Sequence, residues 1–274
     1  MYRKAIEKGG LAVVTGAASG VGKAAAQRFI QDGLGVVLVD LAGEALDRTE
    51  AELRDQAGAS ATVQAVPTDV TDYTAVNALA DQAFTLGEVA VLMNNAGIAL
   101  PTSSWENVEN WRKLLDVNLF GVMNGVHAFL PRMIKAARPA VVINTGSKQG
   151  ITTPPGNPAY NTSKAAVKVM TEMLAHDLRQ DEAEITAHLF VPGFTYTGMI
   201  QKFMPEKPAA AWTSEETIEY LLKRMSAGDF YILCPDNDVS EQRDRKRIEW
   251  AVGDIINNRP ALSRWHPDYA DAFA

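Results

Sequence analysis

LAVVTGAASGVGKAAAQRFIQDGLGVVLVD, residues 11–40, passes from an apolar run through a cluster of glycines into a helical pattern, then into a second apolar run that ends on an acid. LAVVT (11–15) and GVVLV (35–39) have strand length and β-branched content. Neither alternates polar with apolar residues, which is the pattern of strands buried on both faces of a parallel sheet. Between them TGAASGVG (15–22) sets glycines at 16, 20 and 22 ahead of a helical segment, 22–33. A tight turn between a strand and a helix N-terminus points free N–H groups and the positive end of the helix dipole at the same spot, and a phosphate fits there. Gly16, Ser19, Gly20, Val21 and Gly22 are the candidate contacts, the glycines letting backbone come close to a pyrophosphate. Asp40 ends the second run. It either accepts hydrogen bonds from both ribose hydroxyls of an adenosine, repelling a 2′-phosphate, or caps the next helix. Leu41 stands where a basic residue is needed to receive that phosphate, so the ribose reading predicts NAD over NADP.

The alternation continues along the chain. ATVQAV (61–66), VAVLM (89–93), AVVINT (140–145), ITAHLF (185–190) and FYIL (230–233) read as further strands, with helical segments such as 43–58 and 72–87 between them. Gly33, Gly58 and Gly87 sit where helices close in the left-handed conformation. The pattern predicts a single α/β domain built on a doubly wound, parallel, seven-stranded sheet. After residue 200 the text changes. MPEKPAAAWTSEETIEYLLKRM holds a helix with its N-cap at Thr213 or Ser214, and EQRDRKRIEWAVGDIINN another. A substrate loop is expected over about 195–226 and a C-terminal helical extension over about 238–274.

Composition sets outer bounds. A chain of 274 residues, 47% hydrophobic and 22% charged, has the profile of a globular protein with a sizeable core. The net charge of −7 argues against a nucleic-acid partner, since such binders concentrate positive charge on one face. Cys234 is the only cysteine, and His127, His176, His188 and His266 have no zinc-site spacing, so neither a disulfide nor a metal is expected. The opening MYRKAIEKGGLAVV is too short in apolar residues for a signal or a membrane span, which makes the cytoplasm the expected location.

Tyr160 and Lys164, in YNTSK (160–164), lie four apart and therefore on one helix face. Alone, the pair reads first as the polar side of a surface helix and only second as chemistry. Ser147 follows the fifth expected strand, at the end of a sheet where ligands bind in α/β proteins.

Together these stretches resemble the short-chain dehydrogenase/reductase family and its TGxxxGxG subgroup. The motifs, in the family's order, are TGAASGVG (15–22), Asp69-Val70, NNAG (94–97), Asn118 in LLDVNLFG, Ser147 in INTGSKQG, YNTSK (160–164) and VPGFTYT (191–197). The resemblance covers roughly residues 11–200 and implies the Rossmann fold. It implies that Asp69 and Val70 contact the adenine, although Asp69 is also placed to cap a helix starting near Thr71. Asn95, Ala96 and Gly97 are implied as cofactor contact and scaffold together. Pro192, Gly193 and Thr195 are implied to seat the nicotinamide carboxamide, and Thr197 to reach it or a phosphate. For both threonines a local turn is the alternative.

The implied chemistry is oxidation of a secondary alcohol, or reduction of a ketone, with Asn118, Ser147, Tyr160 and Lys164 as its residues. Tyrosine, ordinarily near pKa ~10, needs help to act as a base. Lys164 and a positive nicotinamide both favour tyrosinate, Ser147 holds the substrate oxygen, and Asn118 extends a water-linked proton path through Lys164. Lys148 and Gln149 either meet a polar substrate group or face solvent. The ending lacks the glycine-rich segment of many tetrameric members, so a homodimer through helices 105–136 and 158–180 is expected before a homotetramer. The C-terminal seventy residues also resemble NAD-dependent bacterial dehydrogenases of benzylic alcohols in aryl ethers. With Phe203, Met204 and Trp212 in the loop and prolines in ITTPPGN (151–157), that suggests a bulky apolar or aromatic small-molecule substrate. The alternatives are a non-catalytic dinucleotide sensor, which can do without the tyrosine or lysine, and an epimerase or dehydratase of the extended group.

Overall fold

The computed structural model describes residues 1–58, 61–201 and 204–273, leaving out the side chain of residue 199. The strands are β1 (Leu11–Thr15), β2 (Gly35–Asp40), β3 (Val63–Pro67), β4 (Val89–Asn94), β5 (Ala140–Thr145), β6 (Ile185–Val191) and β7 (Tyr231–Leu233). They form one seven-stranded sheet in the order β3-β2-β1-β4-β5-β6-β7, with every pairing parallel. Successive connections run outward from β1 to β3, then return past β1 to β4. The β1/β4 boundary is thus the switch point, where a crevice opens beyond the carboxyl ends of the strands.

The helices are α1 (Tyr2–Glu7), α2 (Gly20–Gln31), α3 (Glu44–Ala57), α4 (Tyr73–Leu86), α5 (Val108–Leu115), α6 (Gly121–Ala136), α7 (Gln149–Thr152), α8 (Pro158–Gln180), α9 (Gly198–Gln201), α10 (Ser214–Ser226), α11 (Glu241–Ile256) and α12 (Ala270–Phe273). Alternate residues of β1 feed opposite layers. Ala12 and Val14 pack with Phe29 of α2 and Leu221 of α10, whereas Leu11 and Val13 pack with Leu79 of α4, Phe129 of α6 and Leu178 of α8. Both faces are covered, which is why the strands read as unbroken apolar runs.

Several boundaries differ from the sequence reading. α2, expected from Gly22, begins at Gly20, so Gly20 and Gly22 lie in its opening turn. Gly33 and Gly58 take left-handed φ values of 89° and 74°, but Gly87 closes α4 with extended backbone at φ 164°. The helix expected over 105–136 is broken: Trp105 lies outside it, and a π-helical turn, Asp116–Phe120, separates α5 from α6. Such a turn carries an extra residue per loop of backbone and tends to occur at functional sites. Of the two N-cap candidates Thr213 is the cap, in a reciprocal capping box with Glu216. Phe203 lies outside the described residues.

Candidate active site

A cleft of about 1390 Å³ opens over the switch point, large enough for a dinucleotide with a second molecule beside it. Its floor at one end is the turn from β1 into α2. Gly16 has φ 68°, and a Cβ there would stand 2.9 Å from the Ala96 Cα. At Gly22 a Cβ would stand 2.1 Å from the Gly16 carbonyl oxygen, so only glycine lets α2 sit this close to β1. Ser19, the N-cap residue of α2, makes no side-chain cap hydrogen bond, and its neighbours Gly20 and Val21 line the cleft with it. A turn that presents backbone amides without side chains in the way fits a pyrophosphate.

Asp40 borders the same cleft. Its carboxylate accepts from the Ala18 N–H at 2.9 Å and from the Leu41 N–H at 2.8 Å, while α3 is capped by Gly43. The capping alternative is therefore not what Asp40 does. Two backbone donors fix the carboxylate at the edge of the glycine turn, and exposed Leu41 adds no positive charge beside it. Asp69 likewise caps no helix. It accepts from the Thr71 N–H and hydroxyl, and Asp72 caps α4. Val70 packs against Gly121 at the start of α6, and both Asp69 and Val70 face the cleft.

The NNAG segment is tied down from within. The Asn94 amide donates to Asn144 at 2.9 Å, and Asn144 donates to the Thr171 hydroxyl at 3.1 Å, a buried chain joining β4, β5 and α8. Thr15 Oγ1 accepts the backbone N–H groups of Asn95 and Ala96, and the Asn95 side chain donates to the Thr15 carbonyl. Asn95 thus serves as scaffold through its side chain and lines the cleft, as do Ala96 and Gly97.

At the other end of the cleft Ser147, Tyr160 and Lys164 come together. Asn157 caps α8 and Pro158 opens it, which puts Tyr160 in the first turn and Lys164 one turn on. Burial raises the Tyr160 hydroxyl above its ordinary range, and a hydrogen bond with Ser147 opposes that shift. Ser147 is itself positioned by accepting the Gln149 N–H at 3.2 Å. Lys164 donates to the Thr145 carbonyl at 2.8 Å, its Nζ lies 5.9 Å from the Tyr160 ring centroid, and burial pushes its ammonium down to about 8. The expected lowering of Tyr160 by Lys164 is not found in the protein alone: the ammonium turns toward a strand carbonyl, and desolvation governs the phenol.

Asn118 lies in the π-helical turn, fully buried. Its side chain accepts from the Ile98 N–H at 2.8 Å and donates to the Ile98 carbonyl and to Ser163. It does not touch Lys164. Gly97 lies between them, where a Cβ would stand 3.3 Å from Asn118 Oδ1 and 3.7 Å from Lys164 Nζ.

Pro192, Gly193, Thr195 and Thr197 follow β6 along the cleft wall. The Thr195 hydroxyl is spent inside the protein, on the Gly193 carbonyl at 3.3 Å and on Thr217 of α10 at 3.1 Å, which is the local-turn alternative. Thr197 packs over Gly20. Trp212 does not reach the cleft; it stacks edge-on against Tyr220, and its indole donates to Asn237. Met204 and the prolines of 151–157 are absent from the described lining, to which that segment contributes Asn157. Lys148 lines the cleft but does not extend into solvent: it is largely buried and pairs with Asp236 and Asp244. Gln149 opens α7 beside it at the cleft edge. Ile98, Phe194 and Asp236 line the cleft and were missed; the first two neighbour recognised motifs, and the third is an acid shortly after a strand. Cys234, just after β7, is buried, and burial pushes its thiol up to about 12. Among the described residues no group of His, Cys, Asp or Glu suits a metal ion, and no helix is long and apolar enough to cross a membrane.

Comparison with known proteins gives a consistent picture. The family model for short chain dehydrogenase matches residues 10–208. The chain is 35% identical over 261 residues to the 1-deoxy-11-beta-hydroxypentalenate dehydrogenase of Streptomyces exfoliatus, covering 93% of each protein. It is 34% identical over 196 residues, 70% of this chain and 76% of the relative, to the NADP-dependent (R)-specific alcohol dehydrogenase of Lentilactobacillus kefiri. A short chain dehydrogenase/reductase from Burkholderia phymatum, solved in complex with NAD, superposes with a TM-score of 0.83 at 30% identity, over 92% of this chain and 96% of that one.

Proposed function

The chain belongs to the short chain dehydrogenase family of oxidoreductases, and from that premise we propose that it interconverts a secondary alcohol and a ketone with NAD as the preferred nicotinamide cofactor. The observation that carries this reading is the convergence of Ser147, Tyr160 and, one helical turn on, Lys164 in one cleft that also holds the Gly16–Gly22 turn. When bound, the dinucleotide supplies the hydride acceptor, or the donor in reverse, and in its oxidised form a positive charge.

In the oxidative direction the substrate hydroxyl proton passes to the Tyr160 oxygen as its carbon loses hydride. Ser147 donates to the substrate oxygen and holds it within reach of Tyr160. Lys164 stabilises the ionised phenol and hydrogen-bonds a ribose, while Asn118 keeps Ile98 and the 95–97 turn in place behind them. The fully engaged Asn118 side chain favours that supporting role over a relay of its own. The glycine turn with Ser19 and Val21 holds the pyrophosphate, Asp40 the adenosine ribose, Asp69 and Val70 the adenine, and Pro192, Gly193 and Thr197 the nicotinamide end, with Thr195 bracing the turn from inside.

Fixed by two backbone donors and without a basic neighbour, Asp40 favours NAD. The relative named for NADP makes the point worth measuring. The substrate is bulky and apolar or aromatic: the relative named for a hydroxylated pentalenate supports a large carbocyclic alcohol, and the likeness of the chain's ending to aryl-ether dehydrogenases supports an aryl carbinol. The segment 195–226 covers the substrate and 238–274 backs it. We place the enzyme in the cytoplasm as a homodimer.

The test is NAD and NADP reduction across secondary alcohols, alicyclic and aryl carbinols included. NAD is expected to show the lower KM, and Tyr160→Phe to lose about a thousandfold or more of the wild-type rate. A Tyr160→Phe variant that kept most of the rate would remove the base, and a lower KM for NADP the cofactor preference.

A further inference from the structure

Lys148 follows Ser147 directly at the cleft, and its ammonium enters a charged cluster drawn from three separate parts of the chain. Its ammonium lies 2.5 Å from Asp244 in the first turn of α11, and 3.6 Å from Asp236 in the loop after β7. All three side chains are largely buried, at 18% exposure for Lys148, 6% for Asp236 and 8% for Asp244. The Lys148–Asp244 contact is ionic without hydrogen-bond alignment, and neither atom has any other hydrogen-bond partner. These two buried atoms are therefore balanced by ion pairing and not by hydrogen bonds. Arg247 approaches the far side of Asp244 at 3.7 Å, so two cations meet two carboxylates.

Asp236 is the shared node. Its Oδ2 accepts the Phe194 N–H at 3.2 Å, while its Oδ1 accepts the N–H groups of Asp238 and Val239. Phe194 lies in the 192–197 turn, which follows β6 as Ser147 follows the neighbouring β5, and both residues line the cleft. That turn is pinned here from a second side, because a Cβ on Gly193 would stand 2.5 Å from the Pro235 carbonyl oxygen, and the Cys234 N–H donates to Val191.

We infer that Lys148 is a positioning residue: through Asp236 and Asp244 it staples the Ser147 segment to the 192–197 turn and to α11, and so sets the gap across which hydride passes. The inference rests on the reading of Ser147 and Tyr160 given above. A receptor for a substrate carboxylate is the competing role for this lysine, and two aspartates already neutralise it. A gap widened by about 1 Å is enough to slow transfer by about a hundredfold while dinucleotide affinity is kept.

Lys148→Met, Lys148→Arg and Asp244→Asn are compared with wild type and Tyr160→Phe in three measurements: steady-state kinetics with protiated and α-deuterated alcohol, NADH binding by fluorescence, and amide hydrogen exchange over 147–150 and 192–197. The staple predicts that Lys148→Met loses tenfold or more in kcat, shows a larger primary isotope effect, binds NADH within about threefold of wild type and exchanges faster in both segments. Lys148→Arg retains most of the rate. Asp244→Asn falls between, and serves if Lys148→Met does not fold. A purely structural role would lower the melting temperature and the yield of folded enzyme, leaving the isotope effect and the rate per folded molecule unchanged, and would overturn the inference. So would a raised KM for anionic alcohols alone. Should wild type oxidise nothing, the oxidoreductase reading fails by itself, and exchange over 192–197 still decides: protection unchanged in Lys148→Met overturns the staple, and protection lost supports it.

Discussion

Lys164 is a cation held where water cannot reach it. Burial pushes its ammonium down to about 8, from an ordinary value of 10.5, so the folded chain binds fewer protons here than the unfolded chain between those values. Stability from this group therefore rises with pH across the window from about 8 to 10.5, by at most about 1.4 kcal/mol per pH unit. Tyr160 acts in the opposite sense above its ordinary value near 10, since its raised hydroxyl keeps a proton that the unfolded chain releases. Urea unfolding of wild type and Lys164→Met between pH 7 and 10 should show wild type gaining on the variant as pH rises; a constant difference would mean that the ammonium is not destabilised. The spacing of Tyr160 and Lys164 placed them on one face, and the structure has them there. What they do to each other was not legible. Whether Lys164 aims at a phenol or at the Thr145 carbonyl depends on how β5 meets α8, and the sequence pattern carries no term for that.

The turn between β1 and α2 is the element on which the cofactor end depends. Gly22→Ala would drive a methyl group into the Gly16 carbonyl oxygen, a backbone atom that has little room to move. We expect a loss of about 1–3 kcal/mol in thermal unfolding and a clear weakening of NADH affinity. A Gly22→Ala variant with unchanged NADH titration would show that the turn does not approach the dinucleotide. This element was legible apart from the helix boundary, which lies at Gly20 and not at Gly22, because strand, glycine turn and helix are each local patterns. The break between α5 and α6 was not. Residues 108–136 have continuous helical composition, and the π-helical turn carries Asn118, whose side chain meets Ile98 across twenty residues of sequence. Asp69 and Asp72 illustrate the same limit on a smaller scale: both acids suit an N-cap, and only the backbone path between them gives that part to Asp72.

At the scale of the whole molecule, the two helices expected to pair with a second copy do carry an unpartnered apolar surface: Phe120 is 46% exposed, Val169 55% and Met173 56%. If these residues form the dimer seam, Phe120→Asp with Met173→Asp should halve the mass measured by light scattering while leaving the far-ultraviolet circular dichroism unchanged. A wild-type monomer would remove the seam altogether. The parallel seven-stranded sheet and its covered faces were anticipated from strands that are apolar throughout, and the order of the strands was not. Nor was the arrangement of 195–273, because its fixing contacts, Trp212 with Asn237 and Lys148 with Asp244, join side chains far apart in sequence whose types suit many other neighbours.

The buried thiol after β7 gives this chain its own clock. A sulfur that ionises only near pH 12 stays silent toward alkylating dyes and toward oxidation at neutral pH for as long as the protein is closed, and no second sulfhydryl competes for the reagent. Labelling must wait for the seam between Val191 and Cys234 to part. The rate at which a chromogenic disulfide turns yellow therefore counts openings of that seam in unmodified protein, with no introduced probe, and slowing of the colour on adding NADH would report the ligand closing it.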